Sequence, residues 1–180
     1  HYREPQRGDV IVFLKPGYPD LFLVKRLVAV PGDHFHLRNG TVILNGVAQP
    51  QPHAQPTTPE NHSDFLDEFP EVAPYPQPDA TPETWAVDFP THLKDGDLVV
   101  PPGKYFMMGD NRNHSYDSRS WGFVPRDAIV ARPLVIYFSL RRPSRTDLPP
   151  FANDKLGHER QFPARLAGFA RWDRMFRVIR

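Results

Sequence analysis

The sequence predicts a mainly antiparallel β protein that carries an irregular, proline-rich insert and ends in an amphipathic helix. Three observations predict it. Short runs rich in β-branched and aromatic residues occupy both flanks of the first 140 residues, separated by the Pro, Gly, Asn and Asp clusters that punctuate strands. Between them proline recurs every few residues from Ala48 to Pro90, removing amide donors that helices and central strands need. Near the end, Leu166, Phe169, Trp172, Phe176 and Ile179 recur at steps of three and four, the spacing of one helix face.

Taken in order, Val10 to Leu14, Leu21 to Val30, His34 to Leu37 and Thr41 to Leu44 read as strands, with Arg38-Asn39-Gly40 as a hairpin turn. A short helix is expected near Ser63 to Phe69. Strands resume at Leu98 to Val100, Lys104 to Met108, Ala128 to Ala131 and Leu134 to Ser139. The organisation expected is a β core from residues 1–45 and 98–140, an acidic insert at 46–97 and a basic tail at 141–180.

At 180 residues the chain suits one medium domain with an elaboration. Its formal net charge of +1 hides a segregation. Residues 46–97 hold ten acids against Lys94, a formal −9, whereas residues 141–180 hold ten bases against four acids, a formal +6. That pattern predicts a polarised surface; no nucleic-acid-binding motif accompanies it, and no nucleic-acid partner is expected. With no cysteine, a disulfide framework, a thiolate metal site and a cysteine nucleophile are excluded. No apolar run approaches the roughly 18 to 20 residues of a membrane span.

Two segments carry chemistry. Gly109 to Gly122 packs Asp110, Arg112, His114, Asp117 and Arg119 with Ser115, Ser118 and Ser120 between apolar runs. Charges so placed are partly desolvated unless they pair, so Asp110, Arg112, Asp117 and Arg119 read as a salt-bridged scaffold that holds one polar atom, the Ser115 hydroxyl. In Leu23 to Val30, Lys25 stands among residues that are apolar except Arg26. An isolated strand lysine is ordinarily a solvated edge cation; an ammonium facing apolar neighbours instead loses hydration, and its neutral amine becomes available as a general base.

Both segments resemble the type I signal peptidases, Ser/Lys proteases that remove signal peptides. Gly109 to Gly122 matches the family pattern GDNRxxSxDSRxWG without a gap, and Lys25, Arg26, Pro31, Gly32 and Asp33 stand in register with KRxxGxPGD, with Ala29 where glycine is usual. Arg7-Gly8-Asp9-Val10-Ile11-Val12-Phe13 resembles the family's RGDxVxF segment. The resemblance runs from Arg7 to Pro125 and implies an antiparallel β catalytic core of signal-peptidase and LexA-like type, with a variable second domain where the proline-rich insert falls. It implies Lys25 as general base, Ser115 orienting its amine, Arg26 paired with Asp110, and Asp117 with Arg119. It also implies Val12, Leu23, Val24 and Met107 as substrate-binding residues, with an extended substrate added as a strand to the Leu23 to Lys25 edge. The implied setting is a monomer on the extracytoplasmic or periplasmic side of a bacterial plasma membrane, acting on signal peptides of exported preproteins.

The family's nucleophile is the serine of a Ser-Met-x-Pro motif before the Arg-Gly-Asp segment. The chain opens on His1, and none of Ser63, Ser115, Ser118, Ser120, Ser139 and Ser144 is followed by Met-x-Pro. The expectation is therefore a chain without its nucleophile and anchor, catalytically incomplete as it stands. Three other classes share parts of the pattern: a non-catalytic chaperone or assembly factor, disfavoured because a binding cleft needs no desolvated base; a LexA-type self-cleaving protease, disfavoured by the full loop match; and a conjugation-type processing peptidase that cuts one dedicated partner.

The remaining signals are weaker. His34 and His36 share a strand face, but two imidazoles make no zinc site. The Asp110 to Asp117 loop lacks the central glycine and terminal glutamate of an EF-hand, so neither metal nor cofactor is expected. Met107 and Met108 are expected in the core and lining the cleft by strand alternation. In the tail, Arg165, Arg171, Arg174, Arg177 and Arg180 beside Trp and Phe suit a lipid interface.

Overall fold

The computed structural model describes residues 3–55, 64–71, 83–135, 174 and 177–179. The chain divides into two compact units, residues 1–132 and 133–180. In the first unit, strands β1 (Val10–Leu14), β2 (Phe22–Ala29), β8 (Lys104–Met108), β9 (Val124–Pro125) and β10 (Ile129–Ala131) form a sheet of order β10-β1-β2-β8-β9. A second sheet runs β5-β4-β3-β7-β6, from β3 (His34–Arg38), β4 (Thr41–Leu44), β5 (Val47–Ala48), β6 (Leu93–Lys94) and β7 (Asp97–Val99). All strand pairings between these elements are antiparallel, as the period-two runs predict.

The second sheet is stitched by three Asx-Gly hairpins. Asn39-Gly40, Asn45-Gly46 and Asp95-Gly96 all take positive φ at both positions, the conformation of a two-residue turn whose twist matches the strands. The first is the hairpin read from sequence. The other two bring in β5 and β6, both absent from the sequence reading although they carry the same signal.

Alternation along the first sheet sorts side chains onto two faces. Ile11, Phe13, Leu27, Met107, Trp121 and Val124 build one cluster. On the other face Phe106 and Met108 meet Phe35, Leu37, Val42, Leu44 and Leu98 of the second sheet. The β2–β8 register shifts between Leu27 and Ala29, and Val28 and Ala29 both fall in this second cluster. Ala29, the departure from the family glycine, buries its methyl there completely.

The described part of the proline-rich insert has no helix or strand over residues 49–55 and has short helices after them. It forms α1 (Asp64–Asp67) and α2 (Glu83–Asp88), the latter continued by a 3-10 turn over Phe89–His92; Ser63 lies outside the described residues. Phe69, Trp85 and Phe89 are buried in the cluster between the sheets, with Trp85 and Phe89 edge to face at 5.3 Å. Three aromatic anchors supply the burial that a proline-rich composition lacks.

In the second unit, Val135 and Val178 form an antiparallel bridge and Ile179 N–H donates to Leu134 O at 3.0 Å. The expected amphipathic helix therefore does not run to Ile179, whose neighbourhood is β-branched and pairs as strand. Leu166, Phe169, Trp172 and Phe176 lie outside the described residues, as do residues 136–139 of the last expected strand. No helix among the described residues is long and apolar enough to cross a membrane.

Candidate active site

Lys25 stands where β2 changes neighbours. Arg26 is the first β2 residue paired with β8, opposite Met108. From Phe22 to Lys25 the strand pairs with β1 alone among the described residues. Leu27 and Leu21 exchange their backbone hydrogen bonds with the β1 side, through Gly8, Asp9 and Lys15. Period two then turns the amides of Leu23 and Lys25 toward β1 and leaves those of Phe22 and Val24 facing the open edge.

The chain leaving β8 makes the other wall. Lys25 Nζ donates to Ser115 Oγ at 2.8 Å, bringing together two residues ninety positions apart. Burial pushes the Lys25 amine below its ordinary range; Asp117 opposes this and Arg119 adds to it. Gly109 lies beneath the pair, since a Cβ there would collide with Ser115 Oγ and stand 2.6 Å from Ser115 Cβ and 3.4 Å from Lys25 Nζ. The GDNR glycine is thus required by close approach.

The ionic residues around this pair are supports. Arg26 binds Asp110 through two hydrogen bonds of 2.8 Å and donates to Gly8 O at 2.7 Å. Asp117 and Arg119 are fully buried and joined at 2.9 and 2.8 Å. Asp117 Oδ2 also accepts from Gly109 N–H at 3.1 Å, and the same carboxylate caps α3 (Ser118–Trp121) by accepting from Arg119 N–H. Arg119 reaches Leu66 O at 2.9 Å and Arg112 O at 2.5 Å, fastening the loop to the insert. Arg112, read from sequence as part of a salt-bridged set, instead donates to Gly109 O at 3.2 Å and Gln51 Oε1 at 2.7 Å. The Ser118 hydroxyl accepts from Met107 N–H at 2.9 Å.

Of the four residues expected to bind substrate, two share a face. Val12 and Val24 are opposite one another, and Val24 is 56% exposed. Leu23 points to the other face, opposite Phe13, partly buried against the first cluster. Met107 is a correction. Its side chain is fully buried in that cluster, because its register partner is Leu27 and alternation turns it away from the Val12 and Val24 face. Met108 is equally buried in the core between the sheets, so neither methionine lines a cleft. His34 and His36 flank a single carboxylate, with Asp97 at 3.6 and 2.5 Å.

Sequence reasoning passed over Gly109, Gln51 and Lys15. Lys15 continues the inward alternation of Ile11 and Phe13, and its ammonium lies 3.7 Å from the Tyr18 ring centre and 5.1 Å from that of Tyr116.

The chain is similar to a known family of proteins. The family profile described as Signal peptidase, peptidase S26 matches residues 1–138. The signal peptidase I of Leptolyngbya laminosa is 31% identical over 157 residues, an alignment covering 83% of this chain and 61% of that protein. The signal peptidase I of Pseudomonas fluorescens is 32% identical over 162 residues, covering 83% and 55%. Among solved structures, a signal peptidase I from Enterococcus faecalis is 27% identical, with a TM-score of 0.47 across 74% of this chain and 99% of that one. The chain spans between half and two thirds of the length of these curated relatives.

Proposed function

The chain belongs to the signal peptidase S26 family, and on that premise we propose that it is the lysine-bearing part of a type I signal peptidase, a membrane-associated serine endopeptidase that cleaves signal peptides from exported preproteins. The observation that carries the proposal is the half-buried Lys25 amine, lowered by burial and held by Ser115 Oγ at 2.8 Å beside a strand edge that pairs with nothing further among the described residues.

In this mechanism the neutral Lys25 amine takes the proton of a serine hydroxyl as that oxygen attacks the scissile carbonyl. The resulting ammonium then protonates the leaving amine as the C–N bond breaks, and the neutral amine next takes a proton from the water that hydrolyses the acyl-serine. Ser115 orients the amine through both steps. The attacking serine is that of the family's Ser-Met-x-Pro motif, which is not among these 180 residues. The substrate binds extended along Phe22 to Val24, pairing with the outward amides and laying alternate small side chains over the Val12 and Val24 face. The enzyme works as a monomer against a membrane surface on its extracytoplasmic side, with no metal or cofactor.

The test is turnover of a preprotein by the full-length enzyme carrying Lys25→Met. Loss of cleavage with an unchanged circular dichroism spectrum is expected; measurable turnover removes Lys25 from the mechanism. A full-length protein that binds a signal peptide yet never cleaves it supports the assembly-factor alternative, and cleavage of one partner alone the conjugation-type peptidase.

A further inference from the structure

Lys15 is a buried lysine on the face that carries the half-buried Lys25. Ile11 is opposite Lys25 and Phe13 opposite Leu23, and Lys15 follows them by alternation. Its residue is 7% exposed, and its ammonium makes no hydrogen bond or ion pair among the described residues. What it meets are two phenol rings, Tyr18 at 3.7 Å and Tyr116 at 5.1 Å from their centres, within the reach of a cation–π contact.

The two rings belong to different parts of the site. Tyr18 sits in the turn between β1 and β2, closed by Tyr18 N–H to Lys15 O at 2.9 Å, Leu21 N–H to Tyr18 O at 3.2 Å and Lys15 N–H to Leu21 O at 2.8 Å. That turn leads directly into the open edge at Phe22. Tyr116 follows Ser115, whose hydroxyl receives the Lys25 hydrogen bond. Burial pushes the Lys15 amine below its ordinary range, and the ring faces replace part of the hydration its ammonium gives up.

We propose that Lys15 is a positioning residue: clamped between the Tyr18 and Tyr116 rings, its ammonium ties the turn at the open strand edge to the loop carrying Ser115 and so holds that hydroxyl against the Lys25 amine. A peptide seated along Phe22 to Val24 presses on the same turn, so edge occupancy and Ser115 placement are coupled through one cation. This consequence rests on the reading of Lys25 as base. The positional claim does not, because it concerns only where Ser115 and the Lys25 amine sit.

Burial is the largest influence lowering Lys25, with Asp117 and Arg119 the charges acting on it. Freeing the Ser115 loop admits water to the amine and moves its titration up, toward an ordinary lysine. The experiment is acylation of the protein by sulfo-N-hydroxysuccinimide acetate across pH, with Lys25 read by peptide-resolved mass spectrometry and the exposed Lys94 as internal reference. The midpoint of the rate against pH reports titration, and the high-pH plateau reports access. A contact of this kind biases a loop by a factor of about 2 to 30. Lys15→Met should therefore raise the Lys25 midpoint and slow its labelling below the midpoint at least about twofold, while Lys15→Arg, which keeps the cation, stays near the parent. Tyr18→Leu, at an exposed ring that leaves the core intact, should give part of the same upward move. An unmoved midpoint in Lys15→Met or in Tyr18→Leu overturns the proposal, as does a shift in Lys15→Arg equal to that in Lys15→Met. Turnover by Lys25→Met decides the base assignment separately.

Discussion

The two halves of β2 differ in both pairing and burial. Arg26 and Leu27 are held on both edges, by β1 and the Gly8-Asp9 segment before it on one side and by β8 on the other, and Arg26 to Ala29 are all buried. Phe22 to Lys25 is an edge strand in the same unbroken run, with Phe22 58% and Val24 56% exposed. The change falls at Lys25, because β8 gives way after Met108 to Gly109 and the loop turns across instead of continuing the ladder. A lysine at this junction has burial on one side and an approach route on the other. A wholly buried lysine could not meet a peptide, and a wholly exposed one would keep its ordinary pKa.

The junction depends on the loop that ends β8, and the largest stability loss is expected there. Asp117→Ala leaves Arg119 buried with no carboxylate and releases Gly109 N–H. Breaking a buried pair by removing one partner costs about 3–5 kcal/mol, to be read by denaturant unfolding. A loss below 1 kcal/mol would mean that water or the carbonyls of Leu66 and Arg112 suffice to hold Arg119. The two halves of β2 can then be set against each other directly. Leu27→Ala, in the closed half and fully buried, should lose about 2–5 kcal/mol. Val24→Ala, in the open half, should stay within about 0.5 kcal/mol and show itself in KM for a peptide substrate of the full-length enzyme. Equal losses from the two substitutions would mean that the open half is covered in solution.

Gly109→Ala attacks the site while sparing the core. Its methyl collides with the Ser115 side chain, and overpacking of this kind costs about 1–3 kcal/mol. Ser115 must move off Lys25, so turnover should fall at least about tenfold, the scale of a misplaced catalytic contact. Combining Ser115→Ala with Gly109→Ala removes the colliding oxygen and should recover part of the lost stability but none of the activity.

Much of this site was legible because its chemistry is written in runs. Lys25-Arg26 and the Gly109 to Gly122 stretch carry their residue types at fixed spacing; the need to neutralise charges between apolar strands pointed to a salt-bridged set, and the resemblance to the signal peptidase motifs implied the Arg26–Asp110 and Asp117–Arg119 pairs that form. The antiparallel core followed from alternation. What alternation cannot supply is the face assignment across strands. Met107 was misplaced because its face is fixed by its pairing with Leu27, a relation between residues eighty apart. Lys15 was passed over because a lysine among strand residues reads as an edge cation until Tyr116, a hundred residues on, is seen against it. In the insert, α1 falls within the helix expected near Ser63 to Phe69, whereas α2 went unread because proline frequency obscured the i, i+4 spacing of Trp85 and Phe89.

The smallest expected effect tests the half-buried position of Lys25 by thermodynamics alone. Burial holds its folded-state pKa below the ordinary 10.5. Between that lowered value and about 10.4, the ordinary lysine range, the unfolded chain binds more protons than the folded one, so this residue makes stability rise with pH across the window. Below the window both states carry the proton, and the penalty of burying the ammonium is fully present; above it the penalty is gone. Lys25→Met removes the penalty. The variant should therefore be more stable than the parent at neutral pH, and the difference should shrink as pH rises toward about 10.4. Urea unfolding of both proteins at a series of pH values measures this difference directly. A constant gain across the series would reflect better packing by methionine, and no gain at neutral pH would mean that the Lys25 ammonium is as well hydrated in the folded state as in the unfolded one. A gain that fades with rising pH would show that the fold tolerates a destabilising residue at the one point where β2 passes from closed to open, which is what a base awaiting a peptide requires.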